Sequence, residues 1–357
     1  AKLPFDSIYS DIFASNYMKT LACSILWSIR RVVMKSDLNA NIVFPQFMRL
    51  CCNEAKFIEK RRTNINNEAA VTRVLVKEFI GKLNHPNYLV FLDAIGFDWF
   101  DKWDYEKTSF ANDKGEIIEV KPLAEYVLNY HSKKLLSMDI SVDAEQRIHA
   151  FIEVLNSHIE THPSFEWLPY YRSKLLMKVN RKEEALEAVI SFARTKRNEF
   201  WIWDLISELV NHEEKFNCLC AALLCRTKPE MIVGIQEKII PYLIEKKMFS
   251  NAKYELDELI STRVNKWGKI SQQLKEWKNE KWYIESKAAE NRDALKEYQR
   301  KAETILYRTL PFIDIFITYT NKEKGVIHFV YFEKSDRITE GFAYIDYLRK
   351  PGSLWRI

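Results

Sequence analysis

The sequence predicts a mostly α-helical chain, with a helical-hairpin solenoid in its middle, a helical bundle before it and a small antiparallel β unit after it. Three observations carry this. Residues 166–262 repeat themselves about every 34 residues. Only eight glycines stand among 357 residues, so little interrupts helix. After Pro311 the apolar spacing changes from that of a helix to strict alternation. The expected domains are 1–108 for the N-terminal helices, 109–310 for the repeats and 311–357 for the β unit.

The period is read from two registers. Ala185, Cys218 and Ala252 lie 33 and 34 residues apart, and Leu176, Leu209 and Leu243 keep the same spacings. A period of this length marks stacked helical hairpins. Each unit needs a small side chain where its helices cross, because a larger one would force them apart. Ala185, Cys218 and Ala252 are therefore expected to be buried.

In the N-terminal part, Met18, Leu21, Ala22, Ile25, Ile29 and Val32 follow the helical rule and form the expected inner stripe of a first helix. Residues 17–34 are the most apolar long segment. Lys19, Arg30 and Arg31 interrupt it well short of the roughly 20 residues a membrane span needs, so it reads as a buried helix. Residues 44–58 give a second helix and 68–83 a third, with Asn67 as N-cap and Val71, Val74, Leu75 and Phe79 inward. Residues 61–67 read as a polar loop. Residues 97–106 alternate aromatics with carboxylates, and a loop with its turn at 112–115 follows; the domain seam is placed here. Pro122 suits the first turn of a helix striped by Leu123, Tyr126, Val127 and Tyr130. The next helix, 144–161, turns Ile148, Phe151, Ile152, Leu155 and Ile159 inward and stops at Pro163. These two read as a divergent unit ahead of the clear repeats.

Behind the repeats, residues 271–307 are polar and helical, with Leu295, Tyr298, Ala302, Ile305 and Leu306 on one side. Ile313, Ile315, Ile317 and Tyr319 then alternate with Asp314, Phe316, Thr318 and Thr320. A turn at 321–325, a strand at 326–332 and a third strand at 341–348 complete the β unit.

Net charge is +5, which excludes a strong polyanion footprint overall. The excess lies in residues 1–62, where ten basic residues face five acidic ones. The six cysteines show no spacing of a secreted framework and read as reduced thiols of a cytoplasmic protein. No leader is read in the sequence, and neither a spanning segment nor a membrane partner is expected.

Residues 167–196 resemble a degenerate tetratricopeptide repeat, and 174–187 match that family's helix end, turn and helix start. Ser173 and Ala185 fall on its small-residue slots. Asn180 replaces the turn glycine, Ile206 and Ile240 occupy the earlier small slot of the next units, and Pro241 falls inside a first helix, where a kink is expected. The resemblance implies a concave face bearing Trp167, Tyr170, Lys174, Lys178, Trp203, Ser207, Asn211 and Glu237, suited to an extended acidic or aromatic peptide. The alternative is that neighbouring segments of the chain fill that groove.

Residues 321–330 resemble the first hairpin of cold-shock proteins. That resemblance implies an OB-type barrel binding single-stranded nucleic acid through Phe316, Lys322, Lys324, His328, Phe329, Tyr331 and Phe332. Alternation puts Phe329 and Tyr331 on one face, and His328, Val330 and Phe332 on the other. Seven basic against six acidic residues in 311–357 imply modest affinity and a shallow salt slope.

Other constellations have plainer readings. His158 and His162 share a helix face, but Glu160 is misplaced for the zinc-protease pattern and no third ligand is evident. Cys218, Cys220 and Cys225 lack a matching pair for structural zinc. Asp98, Asp101, Asp104 and Glu106 read as amphipathic packing. No metal or cofactor is expected. The sequence points to a non-catalytic scaffold holding a protein or peptide partner, with nucleic acid as a further partner. The alternatives are a single-stranded nucleic-acid binder acting through the β unit, and an enzyme whose site is assembled between domains.

Overall fold

The structure, a computed structural model, describes residues 16–51, 67–97, 100–311, 313–321, 323–332, 338–344 and 354–356. Residues 52–58 of the expected second helix, the polar loop at 61–66, Asp98, Trp99, Lys322 and residues 345–348 lie outside them. Among the described residues, fifteen α-helices precede a four-stranded antiparallel sheet. The chain is mostly α with a small C-terminal β unit, as the periodicities predict. It divides into two compact units, residues 1–215 and 216–357.

The first unit opens with α1 (Asn16–Val33), α2 (Asp37–Cys51), α3 (Asn67–Lys82) and α4 (His85–Ile95). Phe44, Phe47, Phe79 and Phe91 are buried together, with the Phe47 and Phe79 rings 4.5 Å apart. α1 turns Leu26, Ile29 and Val33 inward, whereas Ile25 and Val32 of the expected stripe are exposed. A shift of one position rotates a helix by about 100°, and apolar residues stand on both sides of that shift. Asn84 starts α4: its side chain accepts from the Asn87 amide at 3.2 Å, and Pro86 occupies the first turn.

A short 3₁₀ turn, Lys102–Tyr105, follows. Its acidic neighbours are caps: Asp101 accepts from the Trp103 amide at 2.8 Å, and Asp104 accepts from the Asp101 amide at 3.0 Å. The expected loop beyond it is a hairpin, β1 (Thr108–Ala111) on β2 (Ile117–Val120). Asn112 builds its turn by accepting from the amides of Lys114 and Glu116, both at 2.9 Å.

Next come α5 (Leu123–Ser137), α6 (Val142–Thr161), α7 (Leu168–Lys178), α8 (Lys182–Thr195) and α9 (Phe200–Ser207). α5 packs on α3 as well as on α7, so helices on both sides of residue 108 belong to one unit. α10 (His212–Leu224) begins in the first unit and continues into the second. Asn211 caps it, accepting from the Glu214 amide at 3.0 Å.

The second unit continues with α11 (Val233–Glu245), packed on α12 (Phe249–Trp267). α11 runs through Pro241 as one helix. Ala185 in α8, Cys218 in α10 and Ala252 in α12 are fully buried, as their slot requires. The α7–α8 and α11–α12 turns repeat each other in detail. Asn180 and Lys247 both take positive φ, 60° and 58°. Arg181 donates its amide to the Leu176 carbonyl at 2.9 Å, and Met248 to that of Leu243 at 2.8 Å. This pairing closes a helix end with one left-handed residue. The α9–α10 connection is built differently, through the Asn211 cap.

α13 (Gln272–Asn279), α14 (Lys281–Glu285) and a polar strap lead to α15 (Lys296–Tyr307). Side chains of α12 hold the strap. Lys253 donates to the carbonyls of Tyr283 and Ser286, and Asn251 to that of Asn291. Asp257 accepts from the Tyr283 hydroxyl at 2.7 Å. Buried Glu255 takes both guanidinium contacts of Arg292, at 2.8 and 3.0 Å, and one from Gln236 at 3.0 Å. In the same unit, the Phe216 ring meets Tyr298 edge-on at 4.8 Å.

The sheet comprises β3 (Asp314–Asn321), β4 (Val326–Phe332), β5 (Ile338–Tyr344) and β6 (Leu354–Arg356), in the order β5-β4-β3-β6. Ile315, Ile317 and Ile327 form its buried face.

Candidate functional site

The outer face of the sheet is built by strand register and one irregularity. His328 pairs with Tyr319 on one side and with Phe342 on the other, while Phe316 pairs with Val330. A bulge lies between Ile317 and Tyr319. One extra residue reverses the alternation, so Tyr319 leaves the face of Ile315 and Ile317 and joins Phe316 and His328. Rings then run across three strands: Tyr319 to His328 is 5.6 Å and His328 to Phe342 is 6.3 Å, centroid to centroid. Phe316, Tyr319 and Phe342 are 43%, 54% and 64% exposed, and His328 is exposed too. Lys324 stands exposed in the turn, its amide donating to Asn321 Oδ1 at 3.0 Å, and Glu340 is exposed opposite Val330.

Against the sequence expectation, this keeps Phe316, His328 and Lys324 on or beside an open face. Phe329 and Tyr331 are corrected: they pack on the Ile315–Ile317–Ile327 cluster. The Phe329 ring lies over Gly341, where an added Cβ would come within 2.8 Å of it. Lys322 and the Phe332 side chain lie outside the description. Tyr319 and Phe342 were not among the expected residues. The bulge hides the first from an alternation count, and the second needs the register of β5.

The predicted peptide groove is mostly dismantled. Lys178 donates to the carbonyls of Leu135, Leu136 and Met138 at the end of α5, and burial lowers its pKa from the usual lysine value. Trp203 is buried, with its indole N–H on the Arg197 carbonyl, and Ser207 is buried with its hydroxyl on the Asp204 carbonyl. Asn211 is the cap of α10, and Glu237 pairs with Arg263. Trp167, Tyr170 and Lys174 do come together, with Trp201 as an unforeseen member. Trp201 lies 5.6 Å from Trp167, stacked, and 5.4 Å from Tyr170, edge-on, while the Lys174 ammonium lies 5.5 Å from the centre of the Tyr170 ring. All four are half-buried.

The remaining constellations have local partners. His158 Nδ1 lies 2.8 Å from the Val154 carbonyl, its Nε2 lies 3.4 Å from the Tyr105 hydroxyl, and His162 stacks on Tyr105 at 4.0 Å. Cys218 and Cys220 are buried, and burial pushes the Cys220 thiol up. Among the described residues, no three His, Cys, Asp or Glu side chains gather as metal ligands would. His131 and Tyr88 form a buried pair, Nδ1 to hydroxyl 3.1 Å; burial, with Arg147 nearby, lowers the imidazole to about 3.

A family model described as "Domain of unknown function (DUF7017)" matches residues 166–302. The match starts just before α7 and ends inside α15, so it takes in the repeats and the strap and leaves out the sheet. No curated protein and no solved structure matches the chain.

Proposed function

We propose that the chain is a non-catalytic interaction scaffold whose C-terminal sheet offers its outer face to single-stranded nucleic acid. The observation that carries this is the exposed row Tyr319–His328–Phe342, with Phe316 beside it. An exposed row of rings is costly to leave in water and suits flat, stackable ligands. Each stacked base contributes about 1–3 kcal/mol. Lys324 supplies charge at one edge while Glu340 opposes it, which favours stacking over phosphate neutralisation. Fluorescence anisotropy with labelled single-stranded DNA and RNA, at low and moderate salt, tests the reading. Tyr319→Ala or Phe342→Ala should weaken binding about tenfold, with little change in salt dependence, and Lys324→Ala less. Absence of binding at low salt would remove the nucleic-acid reading.

A second surface is supported by the half-exposed cluster of Trp167, Tyr170 and Trp201. Aromatic anchors of this kind dominate protein interfaces, and this one suits a segment of a protein partner. A photo-crosslinker at position 170 should capture partner protein from the native cell, and Trp201→Ala should reduce the yield. Equal capture from a control position on an exposed polar face would count against this surface.

A further inference from the structure

α1 carries two apolar stripes and buries one of them. Leu26, Ile29 and Val33 serve the core. Ile25 and Val32, exposed, line a surface cavity of about 330 Å³ with Ser24, Ser28, Ile29 and Val43 of α2. α2 adds Leu38 and Ile42, one turn apart and 71% and 59% exposed; Trp27 and Met34 are exposed too, but at about 100° per residue they stand on the opposite flank of α1 from Ile25 and Val32. Single exposed apolar residues are ordinary, but a cluster of this size marks a contact surface.

Charge identifies the contact. Arg31 and Lys35 are exposed in the same segment, and Asp37 is the only acidic residue from 24 to 48. An apolar surface bordered by cations matches an anionic bilayer interface: acyl chains take the aliphatic groups, and basic side chains reach phosphates. We infer that the outer surface of α1 and α2 docks on an anionic lipid surface. The expectation of no membrane partner rests on spanning, and no helix among the described residues is long and apolar enough to cross a membrane. Lying on a bilayer asks for a shorter apolar surface, which these helices offer.

The test is flotation of the full chain with vesicles of phosphatidylcholine, with and without phosphatidylserine. Co-flotation is expected with the anionic vesicles only. Arg31→Gln and Lys35→Gln should each reduce it about fivefold, the effect of about 1 kcal/mol per basic group. Leu38→Glu should abolish it while leaving helicity and melting temperature unchanged, because Leu38 is exposed. Failure to float with anionic vesicles overturns the inference, as does flotation indifferent to Leu38→Glu. A concentration-dependent dimer lost in Leu38→Glu, without vesicle binding, overturns it in favour of a second copy of the chain.

Discussion

The Glu255–Arg292 pair gives the sharpest test of how the second unit is held. The Glu255 side chain is 2% exposed and that of Arg292 31%. Arg292→Ala removes two of the three hydrogen bonds on the carboxylate and leaves only Gln236 Nε2 at 3.0 Å. Stranding a buried charge costs about 3–5 kcal/mol. Water already reaches part of the guanidinium, so the lower end applies, about 3 kcal/mol. Urea unfolding followed by far-UV circular dichroism should show a midpoint lower by about 1 M or more. Glu255→Gln in the same background removes the stranded charge and should recover most of the loss. A single-variant cost below about 1 kcal/mol, the range of an exposed pair, would refute the account. So would a double variant no more stable than Arg292→Ala.

Two more outcomes follow from burial and backbone. His131 holds its proton only below about 3 in the folded chain, against 6.5 ordinarily. Between these values the unfolded chain binds the extra proton, so stability falls by up to about 1.4 kcal/mol per pH unit as pH drops from 6.5. Urea midpoints across that range should lose one proton's worth of slope in His131→Gln; an unchanged slope would place the acid sensitivity elsewhere. Lys247 holds a left-handed conformation that costs a non-glycine residue about 1–2 kcal/mol. Lys247→Gly should therefore stabilise the α11–α12 turn by about 1 kcal/mol after its entropy cost, and Asn180→Gly by less, since asparagine tolerates this region. A lower melting temperature for Lys247→Gly would contradict the turn geometry.

Element type was legible wherever one period dominated. The helices of the repeats and the alternating strands follow directly from spacing, and the slots at Ala185, Cys218 and Ala252 identified buried positions. Failures arose where spacing left a choice or where a pattern was carried from one unit to the next. In α1, residues 25/32 and 26/33 are both apolar, and periodicity alone cannot say which pair faces the core. In the hairpin of β1 and β2, both faces are exposed, so no alternation marks it. In the repeats, α9 has eight residues against eleven in α7, and its turn is built differently. Trp201 occupies the place of buried Leu168 yet is half-exposed, while Trp203 occupies that of half-exposed Tyr170 and is buried. The face of α9 is rotated relative to the copied pattern, and Trp203 and Ser207, named from that pattern, are turned inward.

The bulge in β3 makes chain parity a determinant of surface chemistry. Between Ile317 and Tyr319 the strand spends one residue, Thr318, without a cross-strand partner. With that residue left out of the ladder, an aliphatic pair stays under the sheet and a tyrosine stands above it. Deleting Thr318 would remove the bulge and set Tyr319 directly after Ile317, so plain alternation would keep the same faces. Drawing Thr318 into the ladder would do the opposite. Either Tyr319 would sink beside Ile327, or Ile315 and Ile317 would surface while Phe316 turned under. No substitution at Phe316 or Tyr319 could produce that exchange, because it depends on a count of paired residues and not on their kind. One unpaired residue sets which side of the sheet is aromatic.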